Sequence, residues 1–171
     1  MKYESPTVGL VIPPDDYNKF IANLDYYLSN NLETLDIKEA RHQELFTLLN
    51  NKHGDLVYGK IKDIEICFLH YKSFDIAKDK WNRRITRMSN DYIIFKNNDN
   101  NLMSEDDFKI WNDFAKNHNS IFYSCNKDWI NKSTAKVSIY SSEMIKDCPN
   151  WVIDTANKKD NPAKLINKLL K

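Results

Sequence analysis

The chain has 171 residues, which is enough for one domain with a hydrophobic core and too few for two domains of ordinary size. Its 25 Lys and Arg residues nearly balance its 24 Asp and Glu residues, which argues against a nucleic-acid-binding protein because such proteins usually carry a basic surplus. No apolar run approaches the roughly 20 residues of a transmembrane helix, and no secretory leader is recognisable. The three cysteines lack metal-type spacing and are typical of reduced thiols. We therefore expect a single cytoplasmic domain over residues 1–171.

The first predicted elements are a strand and a helix. Thr7–Ile12 is a β-branched apolar run that Pro13 ends, and apolar residues then recur at helical spacing. Asp15 and Asp16 fall in the first helical turn, where acidic residues commonly act as caps. If this strand runs parallel to the one that ends at His70, the two acids lie at the same sheet edge. Asp15 and Asp16 are then candidate metal ligands or a candidate general base, and Asp15 is also a candidate substrate-binding residue.

The next segment predicts a surface helix and a β-hairpin. Residues 37–52 combine a few leucines with a charged remainder, and we expect His42 and His53 to face solvent. A strand is predicted at 56–61, and the two residues 62–63 leave room for a tight hairpin turn into the following strand.

Residues 63–96 are typical of a strand, a helix and a second strand. Apolar and polar residues alternate from Asp63 to Phe68, which predicts a strand covered on one face. Ser73 is a plausible N-cap for a helix of about four turns. The apolar run at 92–95 predicts the second strand. Such a unit normally forms a right-handed crossover between parallel strands.

The end of the first of these strands carries candidate binding groups. His70, Tyr71 and Lys72 follow the strand at the edge where ligands usually bind in open α/β sheets. Arg83 and Arg84 on the next helix suit bidentate contact with phosphate or carboxylate groups. The alternative interpretation is a solvated helix face with internal ion pairs.

A polar loop follows the strand predicted at 92–95. Asn98 and Asp99 would lie at the same ligand edge, although Asn and Asp are also ordinary loop residues. Asp99 is a candidate to assist a metal ion or a sugar hydroxyl. The sequence contains no Gly-rich phosphate loop, no Asp-x-Asp motif and no recognisable metal-ligand set, so it identifies no cofactor.

The rest of the chain continues the alternation of helices and strands. Ser104 and Asp107 resemble a capping box. Trp129 lies in a predicted loop, residues 125–135, and is interpreted as a packing anchor. The remaining predicted elements are strands at 120–124, 136–140 and 151–153 and a C-terminal helix at 161–170. This order predicts an α/β fold class, a layered domain with a mixed, mostly parallel sheet flanked by helices.

Two stretches carry a resemblance to a known family. SPTVGLVIPPDDYNKF and DIEICFLHYKSFDIAKDKWNRR are similar to the bacterial family called domain of unknown function 1919, whose members are associated with exopolysaccharide biosynthesis. The resemblance covers residues 5–140. Family members generally carry a further strand segment before the equivalent of Tyr3, and we expect this chain to lack it. Position 67 is often His in the family and is Cys here, and of the family's Asn-Asp-Arg-Asp-Gly loop only Asn98 and Asp99 remain.

The resemblance implies a role in bacterial surface polysaccharide biosynthesis. The first hypothesis is a transferase acting on a nucleotide-activated sugar or another anionic small molecule. In that hypothesis His70 and Asp99 are catalytic, with His70 as general base because its unperturbed pKa is near neutrality. Tyr71, Lys72, Arg83, Arg84, Asn98 and Asp15 would bind the substrate.

Two further hypotheses remain open from the sequence. One is a non-catalytic protein of the same pathway that binds a glycan or a partner enzyme, or an inactive fragment. A scaffold protein of this kind would bind its ligand without consuming a nucleotide sugar. The other is an acyl or pyruvyl transferase with Cys67 or Cys125 as nucleophile. A missing edge strand would also invite pairing with another chain, so an oligomer is compatible with the sequence.

Overall fold

The structure is a computed structural model that describes residues 5–7, 9–88, 93–99 and 102–140. The chain divides into two compact units, Met1–Asp91 and Tyr92–Lys171. The predicted α/β class with both antiparallel and parallel strands is confirmed. The two kinds of pairing belong to separate sheets, one in each unit.

The first unit is built on a four-stranded antiparallel sheet. Its strands and helices are β1 Leu10–Val11, α1 Pro14–Ala22, α2 Leu24–Leu28, β2 Glu33–Thr34, α3 Gln43–His53, β3 Val57–Ile61, β4 Ile64–Phe68 and α4 Phe74–Ile85. The strand order in the sheet is β1-β4-β3-β2. A short 3₁₀ helix, Ile37–Glu39, precedes α3.

The hairpin predicted between β3 and β4 is confirmed. Ile61 pairs with Ile64, and Lys62 adopts a positive φ of 56° at the turn. All five residues of β4 are buried, so the expectation of a strand covered on one face is wrong. Glu65 and Cys67, which the alternation assigned to the open face, are buried among polar and apolar partners respectively.

The first strand runs antiparallel to β4, with Leu10 opposite Phe68 and Val11 opposite Cys67. The expected parallel arrangement is therefore wrong. β1 pairs with the last two residues of β4, and its antiparallel direction leads the chain toward the beginning of β4, where the Glu65 amide donates to Asp16 Oδ2. The turn into α1 therefore lies at the opposite end of β4 from His70. The five-residue length of β4 corresponds to about 17 Å, so Asp15 and Asp16 do not share an edge with His70.

The second unit is built on a three-stranded parallel sheet. Its elements are β5 Phe95–Asn98, α5 Glu105–Ala115, β6 Ser120–Ser124, α6 Lys127–Lys132 and β7 Val137–Tyr140, and the strand order is β5-β6-β7. Ser104 and Asp107 form the predicted capping box at the start of α5. The segment predicted as a loop at 125–135 contains the short helix α6, which the Asn126 side chain caps.

The crossover predicted over residues 63–96 does not form. β4 and β5 belong to different sheets, and β5 begins at the end of the predicted strand and extends to Asn98. Parallel crossovers occur instead within the second unit, through α5 and through α6. The predicted strand at 151–153 and the predicted helix at 161–170 lie outside the described residues.

Aromatic side chains from α5 cover one face of the parallel sheet. Phe122 of β6 contacts Phe108 and Trp111, with ring centroids 5.5 and 6.2 Å apart. Trp129 stacks on Phe108 at 4.9 Å with an interplanar angle of 5°, which confirms its interpretation as a packing anchor. This packing holds α5 against β6 and joins α6 to α5.

Candidate functional site

Polar side chains collect at the carboxyl edge of the parallel sheet. Asp99 directly follows β5, and Ser124 is the last residue of β6. The Asp99 amide donates to the Tyr123 carbonyl at 3.3 Å, so the residue continues the strand pairing. In open α/β sheets the crevice outside the carboxyl ends of parallel strands is where ligands bind.

The two carboxylate oxygens of Asp99 have different environments. Oδ2 accepts hydrogen bonds from the Ser124 hydroxyl and from the Cys125 amide, the latter at 3.2 Å. Oδ1 is buried and has no hydrogen-bond partner among the described residues. The residue is only 3% exposed. A buried carboxylate oxygen without a partner is costly, so Asp99 is a preformed acceptor held in one orientation.

Asn97 shares the sheet face of Asp99 because the two residues are two positions apart. Asn97 is buried, and its Nδ2 donor has no partner in the described part of the chain. Its Oδ1 accepts from the Asn98 amide at 2.8 Å. Asn98 projects to the opposite face, where its Oδ1 is also buried without a described partner. The sequence singled out Asn98 and Asp99 but missed Asn97, whose role depends on the strand register.

The predicted residues at the end of β4 lie together in the first unit. His70 is exposed and lies against Gly9, where an added Cβ would come within 3.4 Å of His70 Cδ2. Gly9 has a φ of +76°, a conformation that favours glycine. Lys72 is exposed. Gly9 therefore leaves room for the imidazole beside the sheet.

Tyr71 is the most tightly held member of this group. Its ring meets Phe68 edge-on at 5.5 Å, and Lys80 Nζ lies 4.9 Å from the ring centroid. Arg84 Nη1 donates to the Tyr71 hydroxyl at 3.0 Å. Arg83 instead makes an exposed contact of 4.0 Å with Asp79, one turn earlier. The structure thus brings together Tyr71 and Arg84 and adds Lys80, which the sequence did not single out as a site residue.

Asp15 belongs to a separate charged network at the other end of the antiparallel sheet. Asp16 is fully buried; both its oxygens lie 2.7 Å from Arg41 Nη2, and Oδ2 accepts from the Glu65 amide at 2.9 Å. His42 Nδ1 lies 2.7 Å from Glu65 Oε2, and its Nε2 lies 3.0 Å from Asp15 Oδ1. The expectation that His42 faces solvent is wrong, because its side chain is only 19% exposed.

Ligand atoms of Asp15, Asp16 and His42 all lie within 4.8 Å of one another, a spacing that could hold a cation. Arg41 already neutralises Asp16, and its backbone amide donates to Glu65 at 2.7 Å. Two carboxylates face the two ring nitrogens of His42, Glu65 at Nδ1 and Asp15 at Nε2. Asp16 is therefore paired with Arg41 and Lys19 within the protein, which is typical of a structural network.

Hydrogen bonds set the acidity of Glu65. Burial alone would raise the pKa of Glu65, but the bonds donated by the Arg41 amide and by the His42 ring and amide outweigh it and lower that pKa. The neighbouring Tyr27 hydroxyl donates to Asp63 Oδ1 at 2.9 Å. Burial and this carboxylate raise the pKa of Tyr27 to about 12.

The two cysteines of the described residues differ in exposure. Burial raises the pKa of Cys67 to about 12, so this thiol is not a thiolate nucleophile near neutral pH. Cys125 is half-buried, with Sγ 3.9 Å from Asp99 Oδ2. Cys67 is therefore not a suitable nucleophile for the hypothesis of an acyl or pyruvyl transferase.

The predicted site residues fall into three groups. Asn98 and Asp99 lie at the carboxyl edge of the parallel sheet. His70, Tyr71, Lys72, Arg83 and Arg84 lie at or beside the end of β4 and on α4, and Asp15 lies at the opposite end of the antiparallel sheet. Within the described residues, none of the helices is both long and apolar enough to cross a membrane.

Comparisons with other proteins give the family. The family model described as "Domain of unknown function (DUF1919)" matches residues 1–168. A protein of Haemophilus influenzae, named "Uncharacterized protein", is 27% identical over 120 residues, which are 70% of this chain and 51% of that protein. The chain thus spans about half the length of the relative it matches. Because the family model covers nearly the whole sequence, the chain belongs to the DUF1919 family.

Proposed function

We propose that this protein is a transferase of bacterial surface polysaccharide biosynthesis that uses a nucleotide-activated sugar, with Asp99 as the group that contacts the acceptor hydroxyl. One observation carries the proposal: Asp99 is buried, its Oδ2 is held by Ser124 and Cys125, and its Oδ1 has no partner among the described residues. A carboxylate held by one oxygen presents the other as a fixed proton acceptor.

The reaction needs one proton acceptor and one leaving group. The acceptor oxygen forms a bond to the anomeric carbon of the donor sugar, and its proton passes to Asp99 Oδ1. The bond between that carbon and the diphosphate oxygen breaks, and its electron pair leaves with the nucleoside diphosphate. A positioned carboxylate contributes roughly 10²- to 10⁴-fold to such a step.

The test is release of nucleoside diphosphate from UDP-glucose, UDP-N-acetylglucosamine and GDP-mannose, with oligosaccharide acceptors present. Asp99→Asn keeps the shape of the side chain and removes its charge, so turnover should fall by about 10²- to 10⁴-fold. Asp106→Asn is the matched control, because Asp106 lies on the exposed side of α5 and pairs only with Lys109 among the described residues. Its turnover should equal that of the wild type.

His70 stays a predicted catalytic residue and is tested in the same assay. Its exposed side chain contributes little to packing, so His70→Ala should leave the melting temperature nearly unchanged. Loss of turnover at an unchanged melting temperature would support catalysis by His70. Binding of a glycan without consumption of any nucleotide sugar, in wild type and variants alike, would contradict the transferase and favour a binding protein.

A further inference from the structure

Four cationic side chains follow one stripe of α4 and its C-terminal extension. Lys80, Arg83, Arg84 and Arg87 occupy positions i, i+3, i+4 and i+7, which lie side by side on a helix. The Arg87 amide donates to the Arg84 carbonyl at 3.1 Å, so the chain keeps turning past Ile85. Like charges at i and i+4 destabilise a helix. An anion bound along the stripe would offset the repulsion between these cations.

The helix dipole explains only part of this arrangement. Basic residues in the last turn, such as Arg83 and Arg84, are favoured by the dipole of any helix. Lys80 lies one turn earlier and extends over the ring of Tyr71, whose hydroxyl receives the bond from Arg84. Two cations are thus oriented around one ring that Phe68 holds in place.

Lys80 and Arg83 have little acidic compensation among the described residues. Asp79 lies 4.0 Å from Arg83, and its side chain is 75% exposed. In the described part of the chain Lys80 forms no ion pair with a carboxylate. Arginine presents a planar fork suited to two phosphate oxygens, and lysine adds a point charge. The chemistry of these side chains therefore selects a phosphate-bearing anion.

We propose that Lys80, Arg83, Arg84 and Arg87, together with Tyr71, bind a diphosphate group. The stripe is about 10 Å long, and its two i,i+4 pairs, Lys80 with Arg84 and Arg83 with Arg87, lie next to each other. One phosphoryl group reaches one pair, whereas a diphosphate engages both. All of these residues belong to the first unit, and the ligand is an anionic small molecule that carries a diphosphate group.

Calorimetric titration of the full chain with inorganic pyrophosphate, orthophosphate and UDP, at constant ionic strength, tests the site. Pyrophosphate should bind the wild type more tightly than orthophosphate does. Lys80→Gln should weaken pyrophosphate binding by about tenfold, the loss of one charge-assisted contact. The matched control is Lys78→Gln, because Lys78 lies on the same helix about 200° around its axis from Lys80. It removes the same charge and should leave the affinity nearly unchanged.

Arg84→Lys provides a second variant that preserves charge but removes the guanidinium fork and its bond to Tyr71. It should also weaken pyrophosphate binding. Tighter binding of UDP than of pyrophosphate would indicate that the protein also recognises the nucleoside. Equal affinity for UDP and pyrophosphate would indicate that it recognises the diphosphate alone. Either result supports the site.

Three results would overturn the proposal: no binding of pyrophosphate at millimolar concentration, equal affinity for orthophosphate, or equal losses in Lys78→Gln and Lys80→Gln. Pyrophosphate binding requires no turnover. An inactive wild type that binds pyrophosphate would contradict the transferase and leave the diphosphate site standing.

Discussion

The two units each contain a buried carboxylate, and the two acids differ in how they are paired. Asp16 in the first unit accepts from Arg41 with both oxygens, from Lys19 at 3.2 Å and from the Glu65 amide. Asp99 in the second unit is also buried, but only one of its oxygens has a described partner. The donors to that oxygen are a hydroxyl, an amide and, at 3.9 Å, the Cys125 thiol.

The comparison separates a structural acid from a candidate functional one. A buried charge that is fully paired by cations is compensated within the fold. A buried carboxylate with an open oxygen is compensated only when a proton, a cation or a ligand hydroxyl reaches it. Burial of an acid is therefore a weak sign of function, whereas incomplete pairing is a strong one.

The largest expected effect comes from breaking the paired network. Arg41→Met retains most of the aliphatic stem and removes the guanidinium, which leaves Asp16 buried with Lys19 as its remaining cation. We expect a loss of about 3 kcal/mol in the free energy of unfolding, at the low end for a broken buried pair because Arg41 is 47% exposed. Urea unfolding measures it.

The control for this variant is Arg83→Met, which removes only an exposed contact with Asp79. Exposed ion pairs contribute little, so its unfolding midpoint should stay close to that of the wild type. Equal losses in the two variants would show that the Arg41 network does not stabilise the fold.

Replacing each buried aspartate by asparagine gives the next largest expected effect on stability and tests the difference between Asp16 and Asp99. Asp16→Asn should destabilise by about 2 kcal/mol, because an amide loses the charge-assisted bonds with Arg41 and Lys19. Asp99→Asn should leave stability unchanged or raise it, because it removes a buried charge that no described cation compensates.

Chemical denaturation of both variants at neutral pH checks the sign of this difference. A loss in Asp99→Asn as large as in Asp16→Asn would show that Asp99 is also a structural acid.

The smallest expected effect is the pH dependence of the stability that Glu65 contributes through its hydrogen bonds with Arg41 and His42. The folded-state pKa of Glu65 is depressed, so its contribution is present above its unfolded pKa, about 4.3, and is lost as pH falls through the folded value. Glu65→Gln should be less stable than the wild type at pH 7, by about 1 kcal/mol. The gap should narrow below about pH 4.

Unfolding midpoints between pH 7 and pH 3 measure this effect, and Glu44→Gln on the exposed side of α3 serves as control. A gap between wild type and Glu65→Gln that stays constant over that range would contradict the linkage.

Local sequence signals predicted several features correctly. The Ser73 cap, the Ser104–Asp107 box and the hairpin turn at 62–63 each depend on residues within four positions of one another. Asp99 was found because an acid after an apolar run indicates the end of a strand. Its open oxygen could not be predicted, since the pairing of Oδ2 depends on Ser124, 25 residues away.

By itself the sequence determined most of the helices and strands and the family, because capping, periodicity and turn chemistry act over a few residues. It did not predict α6 or β2. The sheet to which each strand belongs was decided only by the tertiary structure. Antiparallel pairing of β1 with β4 removed Asp15 from the edge of His70 and joined it to His42, 27 residues along the chain. Alternation suggested an open face for Glu65, which long-range pairing buried instead. Pairing of strands and of buried charges depends on contacts that a local pattern does not encode.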